Sequence, residues 1–171
     1  MKLIIVGTDH ELQDSSNDLK DLVASLVKHE GLTLIGEEHL ASSISVAHEV
    51  AKSNGVRWIQ VDMDWTHRSI AGIDQKLGNR MQIRYEADGS VSQRIRYAPE
   101  EDGIREDFWL DRIATEKTNG TALLICGAVH ARKVVGRAQS RGYDTTLLFH
   151  PEYPGSQFWV SIMPELFCSW A

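Results

Sequence analysis

The chain has 171 residues, 42% of them hydrophobic and 25% charged, which is enough apolar side chain for one core and too short for two full domains. Its 18 basic against 24 acidic residues leave a formal charge of −6, which argues against a broad nucleic-acid face, and no apolar run approaches the roughly 20 residues of a membrane helix. Two cysteines, Cys126 and Cys168, make no disulfide framework, and residues 3–6 are too short for the apolar stretch of a secretion signal, so a cytoplasmic setting is expected.

The first predicted strand is the apolar run 3–6. Leu19, Leu22, Val23, Leu26 and Val27 then fall at helical spacing behind Ser15 and Ser16, residue types that cap helix starts, and Gly31 stands where a helix would stop. The pattern of helix, glycine, strand repeats along the chain. Gly31 precedes a strand over 32–35, and Gly55 precedes one over 58–61 after a helix marked by Ile44, Ala47 and Ala51. Gly120 precedes a strand over 123–126 after a helix marked by Ile104, Phe108 and Ile113. Gly142 precedes a strand over 146–149 after a helix marked by Val134, Val135 and Ala138. Short runs with little polar alternation suit strands covered on both faces, so the order predicts a single three-layer, doubly wound α/β domain spanning 1–171, with about five mainly parallel strands. An insertion over about 62–103 interrupts it. There, 81–85 and 91–97 flank Asp88-Gly89 and read as an antiparallel hairpin at the sheet edge. The tail 151–171 is rich in aromatics and is expected to pack on the core or to mediate self-association.

The residues that follow the strands carry the chemistry. Gly7-Thr8-Asp9-His10, Gly36-Glu37-Glu38-His39 and Gly127-Ala128-Val129-His130 are three Gly-x-x-His segments, each directly after an apolar run. About half of one such pairing would arise by chance from this composition. In open parallel α/β sheets, ligands bind beyond the carboxyl ends of the strands, so His10, Glu37 or Glu38, His39 and His130 are expected to converge on one cleft, with Asp62 beside them. Imidazole and carboxylate together suit a divalent metal site, here His10, Glu37 and His130, or a general base with its orienting partner. Neighbouring carboxylates point apart, so one of Glu37 and Glu38 is expected to face the cleft and the other solvent. His130, at a helix N-terminus, is disfavoured as imidazolium and reads as a base or ligand. Glu106 and Asp107 read as charges favoured near a helix start, and Cys126 as a buried, inert thiol. Asp64, His67 and His150 are candidates by strand-end position alone. No Gly-x-Ser-x-Gly elbow, phosphate loop or dinucleotide fingerprint is present.

Together with Arg105-Glu106, these segments resemble the superfamily that joins erythromycin esterases, ChaN-like haem-binding lipoproteins and the TraB/Tiki proteins. The resemblance rests on four short motifs between residues 7 and 130, in the order the family shows them. It implies active-site positions at Glu37, His39, Arg105 and His130, with His10 matching the early glycine-histidine motif, and it is the reason to choose Glu37 over Glu38. It also implies hydrolysis of an ester- or amide-type bond, with a divalent metal as an open element. The alternative is a protein that holds a metal, haem or small anion without turnover, and a third is an interaction subunit that docks through its tail. In the first two, the partner is a small molecule.

Overall fold

A strand that is apolar at every position cannot leave one face in water, so the runs at 3–6, 32–35 and 123–126 dictate a sheet covered on both sides. The computed structural model describes residues 1–39, 43–73, 81–85, 91–95, 99–116 and 119–150. In chain order its elements are β1 (Lys2–Thr8), α1 (His10–Gln13), α2 (Asn17–Glu30), β2 (Leu32–Glu37), α3 (Val46–Asn54), β3 (Arg57–Gln60), α4 (Trp65–Ile70), β4 (Met81–Tyr85), β5 (Val91–Ile95), α5 (Pro99–Thr115), β6 (Thr121–Gly127), α6 (Ala128–Ser140) and β7 (Asp144–Phe149). Five strands form one parallel sheet in the order β3-β2-β6-β1-β7.

Alternate residues of each strand feed two cores. Ile4, Val6, Ile35 and Ile125 pack with Leu19, Val23 and Leu26 of α2 and Val46 and Val50 of α3. Leu3, Ile5, Leu34 and Leu124 pack on the other face with Trp109 and Ile113 of α5 and Ala131 and Val134 of α6. The chain therefore travels from β1 to β3 with its helices on one face and returns through β6 to β7 with its helices on the other. Right-handed crossovers require this change of face when the direction across the sheet reverses. The neighbours β2 and β6 send their connections to opposite faces, which opens a crevice at the carboxyl edge between them.

Local chemistry sets the helix ends. Ser16 Oγ accepts from Leu19 N–H at 3.2 Å and Ser45 Oγ from His48 N–H at 3.1 Å, side-chain caps worth about 1 kcal/mol each. Gly31 and Gly55, at φ 60° and 66°, close α2 and α3 in the left-handed conformation that glycine adopts without penalty. Gly120 does not behave this way: its φ is not positive, and a Cβ there would lie 2.6 Å from Thr33 Cγ2, so close packing selects it.

Two stripe residues lie outside the core. Ile44 precedes α3 and is 62% exposed, and Ile104 is 43% exposed because Trp109 and Leu110 fill that side of α5. The strands β4 and β5 pair antiparallel from Met81↔Ile95 to Tyr85↔Val91, as a two-stranded sheet of their own rather than an extension of the main one. The expected Asp88-Gly89 turn and the tail 151–171 lie outside the described residues. Among the described residues, no helix is long and apolar enough to cross a membrane.

Candidate functional site

The carboxyl edge of β1, β2 and β6 brings together His10, Glu38 and His130. A Cβ placed on Gly127 would lie 3.3 Å from His10 Nε2, 3.5 Å from Glu38 Oε2 and 3.5 Å from His130 Cδ2, so the bare Cα of Gly127 leaves a niche among these three side chains. Glu38 is buried. Its Oε2 accepts the Gly127 N–H at 2.9 Å and its Oε1 accepts Arg105 Nη2–H at 2.6 Å, with His10 Nε2 3.9 Å from Oε1. His10 itself is the first residue of α1, and its Nδ1 lies 3.1 Å from Gln13 Oε1. A carbonyl oxygen only accepts, so Nδ1 carries the proton and Nε2 presents its lone pair on the niche side.

Arg105 links this niche to the end of β3. Its Nε donates to Asp62 Oδ1 at 3.1 Å and its Nη2 to Asp62 Oδ2 at 3.0 Å, while the guanidinium lies 5.3 Å from the Trp109 ring centroid. Asp62 also accepts from Trp109 Nε1–H at 3.0 Å and from Arg68 Nη2–H. Burial alone would push the Asp62 carboxyl up, but the charge and hydrogen bonds of Arg105, with Arg68 and Trp109, outweigh it and hold Asp62 below the usual range. Burial likewise opposes the charge on Arg105, and Glu38 and Asp62 overcome it.

His130 is held from the facing helix. It sits in the first turn of α6, buried, with Nδ1 2.8 Å from Glu106 Oε1. Glu106 is fully buried on α5, and its other oxygen accepts Arg137 Nε–H at 3.0 Å. Trp109 meets the imidazole edge-on at 5.2 Å. The carboxylate accepts the Nδ1–H bond and fixes the tautomer that leaves Nε2 as a base. Expected to serve as a charge near a helix start, Glu106 is two turns inside α5, because that helix begins at Pro99. The detectable signal was its spacing: Glu106 lies one residue from Arg105 and three from Trp109, on a helix that must face α6.

The two glutamates part company, as expected of neighbours, although neither faces solvent. Along β2, Leu34, Gly36 and Glu38 share the α5 face, and Ile35 and Glu37 share the α3 face. Glu37 therefore lies across the sheet from His10 and His130. Its Oε2 accepts from Ser45 Oγ–H at 2.5 Å and Trp58 Nε1–H at 2.8 Å, while Oε1 is buried with no hydrogen-bond partner. Burial raises its carboxyl above the ordinary glutamate value of 4.5. His39 is also absent from the niche: it is buried, with Nε2 2.7 Å from Asp14 Oδ1. That bond is the main reason Asp14 is held below the usual range. The three-ligand set His10, Glu37 and His130 is thus not assembled, and Arg105 occupies the carboxylate that is. Among the described residues, no group of three or more His, Cys, Asp or Glu side chains is placed to hold a metal ion.

The remaining candidates are elsewhere. His150 is buried with Nε2 2.9 Å from the Ser16 cap, and His67 is exposed with Nδ1 2.6 Å from Asp64 Oδ1. Cys126 is buried in β6, and its thiol is pushed well up by burial, as an inert core cysteine requires. No protein-family model, curated protein or solved structure matches the chain.

Proposed function

We propose that the chain is a small hydrolase acting on an ester- or amide-type bond, with His130 as general base. The observation that carries this reading is the buried Glu106–His130 pair, whose Nδ1-to-carboxylate bond of 2.8 Å leaves Nε2 to take a proton from water. The oxygen of that water bonds to the carbonyl carbon, the bond to the leaving group breaks, and the proton held on His130 Nε2 passes to the departing group, while His10 Nε2, with its lone pair on the same niche, accepts a hydrogen bond from the attacking water. Arg105 uses Nε and Nη2 on Asp62 and Glu38, and its Nη1 is the donor for negative charge that develops on the substrate oxygen. The resemblance to erythromycin esterases and their relatives supports the substrate class, through His10, Arg105 and His130. Glu38, rather than Glu37, is the carboxylate at the niche, where it anchors Arg105. A divalent metal on His10, Glu37 and His130 does not fit the geometry, and no step is routed through one.

The test is turnover of generic ester and peptide substrates by the native chain, with and without a chelator, alongside His130→Ala, Glu106→Gln and Glu37→Gln. Chelator-resistant turnover that His130→Ala abolishes and Glu37→Gln spares supports the reading. Turnover that needs added metal overturns the metal-free mechanism. Absence of turnover, with thermal stabilisation by haem or a small anion, favours the binding protein instead.

A further inference from the structure

A pocket of about 140 Å³ is lined by Gln60, Asp62, Asp64, His67, Phe108 and Arg112, sharing Asp62 with the cluster around Arg105. Its charges are not equivalent. Both oxygens of Asp62 are taken up by Arg68, Arg105 and Trp109. Arg57, Arg68, Arg105, Arg137 and Arg141 each reach a carboxylate, whereas Arg112 makes no hydrogen bond or ion pair among the described residues. On a chain with a formal charge of −6, an arginine that leaves its charge uncompensated at a pocket wall is available for an anion.

Asp64 lines the same pocket. One of its oxygens accepts from His67 N–H at 2.9 Å and from His67 Nδ1–H at 2.6 Å. The side chain is 66% exposed and retains acceptor capacity on its second oxygen. Phe108, which meets the His67 ring at 4.9 Å, supplies an apolar wall, one helical turn before Arg112 on α5.

We propose that this pocket binds a small zwitterion of the amino-acid type, with Arg112 on its carboxylate, Asp64 on its ammonium and Phe108 against its carbon skeleton. A guanidinium and a carboxylate lining one pocket complement a ligand that carries both signs. A dianion gains from Arg112 but meets Asp64, and a simple cation gains from Asp64 but meets Arg112. The volume of about 140 Å³ suits a single small amino acid. The assignment is independent of hydrolysis at His130, because no residue of the Glu106–His130 pair lines the pocket.

Binding is measured by titration calorimetry and thermal shift on the full chain, with glycine, alanine, acetate, ethylammonium and inorganic phosphate as probes. Native protein, Arg112→Gln, Arg112→Lys, Asp64→Asn and His130→Ala are compared. Glycine or alanine should bind at least tenfold more tightly than acetate, ethylammonium or phosphate. Arg112→Gln should weaken that binding about tenfold or more, Arg112→Lys should restore part of it, and His130→Ala should leave it unchanged. Arg112 is exposed and unpaired among the described residues, so Arg112→Gln should melt as the native chain does. Equal amino-acid binding by native protein and Arg112→Gln would overturn the proposal. So would tighter binding of phosphate or acetate than of glycine, or no saturable binding of any probe to native protein. Loss of turnover in His130→Ala with amino-acid binding intact separates the fate of this proposal from that of the hydrolase.

Discussion

His10 and His130 flank one bare Cα: a Cβ on Gly127 would lie 3.3 Å from His10 Nε2 and 3.5 Å from His130 Cδ2. Gly127 has φ −54° and ψ 135°, a conformation open to any residue, so its backbone does not demand glycine. Gly127→Ala therefore tests the niche with little effect on the fold. The methyl group occupies the space between the imidazoles and displaces His10 by a few tenths of an ångström, while meeting His130 at ordinary contact distance. Stability should change by no more than about 1 kcal/mol, the size of a cap effect, while turnover falls about 10²-fold. Melting temperature and kcat/KM on one preparation check both. Native turnover in Gly127→Ala would place the reaction elsewhere.

Glu106→Gln separates tautomer control from packing. The amide has nearly the carboxylate's shape, but it can present an N–H to Nδ1 of His130 and move the ring proton to Nε2. A base that must accept at Nε2 is then lost, and kcat/KM should fall by about 10³-fold, within the 10²–10⁴ range of general-base catalysis. Arg137, whose side chain is 37% exposed and also donates to Asp107 Oδ2 at 2.7 Å, reaches His130 only through Glu106, so Arg137→Ala should lower turnover less than Glu106→Gln does. A Glu106→Gln enzyme as active as native would leave the pair with a structural role alone.

The convergence of His10 and His130 was legible because uniformly apolar strands and glycine stops together require a parallel sheet, and a parallel sheet gathers its strand ends on one rim. The choice between Glu37 and Glu38 was also legible, but in a different signal. Period-two alternation puts Glu38 on the same face as Leu34 and Gly36, toward α5 and Arg105, whereas the family motif favoured Glu37. The Gly-x-x-His repeat has less physical unity than its spacing suggests. A Cβ on Gly7 would lie 2.7 Å from Phe149 and one on Gly36 2.8 Å from Val61, so core packing selects those two, and only Gly127 borders the niche. Glu106 was hidden because its role depends on where α5 begins: Pro99 followed by Glu100, Glu101 and Asp102 is a helix-start signal, but Glu106 itself was read as a charge near the start.

Asp62 is the hub of a buried ionic cluster, and Asp62→Asn should expose its energetics. The change weakens two guanidinium contacts and leaves Arg105 balanced by Glu38 alone, at a cost of about 3 kcal/mol, the usual scale for breaking a buried pair. The sign of the pH dependence follows from the depressed carboxyl. Its stabilisation is present above the ordinary aspartate value and is lost as pH falls through the lower, native value. Denaturant melts across the acid range should show a shallower loss for Asp62→Asn than for the native chain. Parallel acid limbs would mean that Asp62 titrates alike in the folded and unfolded states.

Glu37 should behave in the opposite sense. Burial raises its carboxyl above 4.5 despite the bonds from Ser45 and Trp58, so the folded state holds the proton more tightly than the unfolded chain does. Its contribution is then fully present below about 4.5 and is lost as pH rises through the raised native value, where the buried group must either ionise or stay protonated against the solvent. Glu37→Gln keeps the acceptor for Ser45 and Trp58 and removes the titration. Relative to native protein, the variant should gain thermal stability as pH rises above about 4.5, levelling off once the native carboxyl has ionised, and its turnover should be unchanged because Glu37 lies across the sheet from the niche. Thermal melts of both proteins over that range decide it: a difference in melting temperature that does not vary with pH would show that Glu37 ionises as freely in the fold as in water.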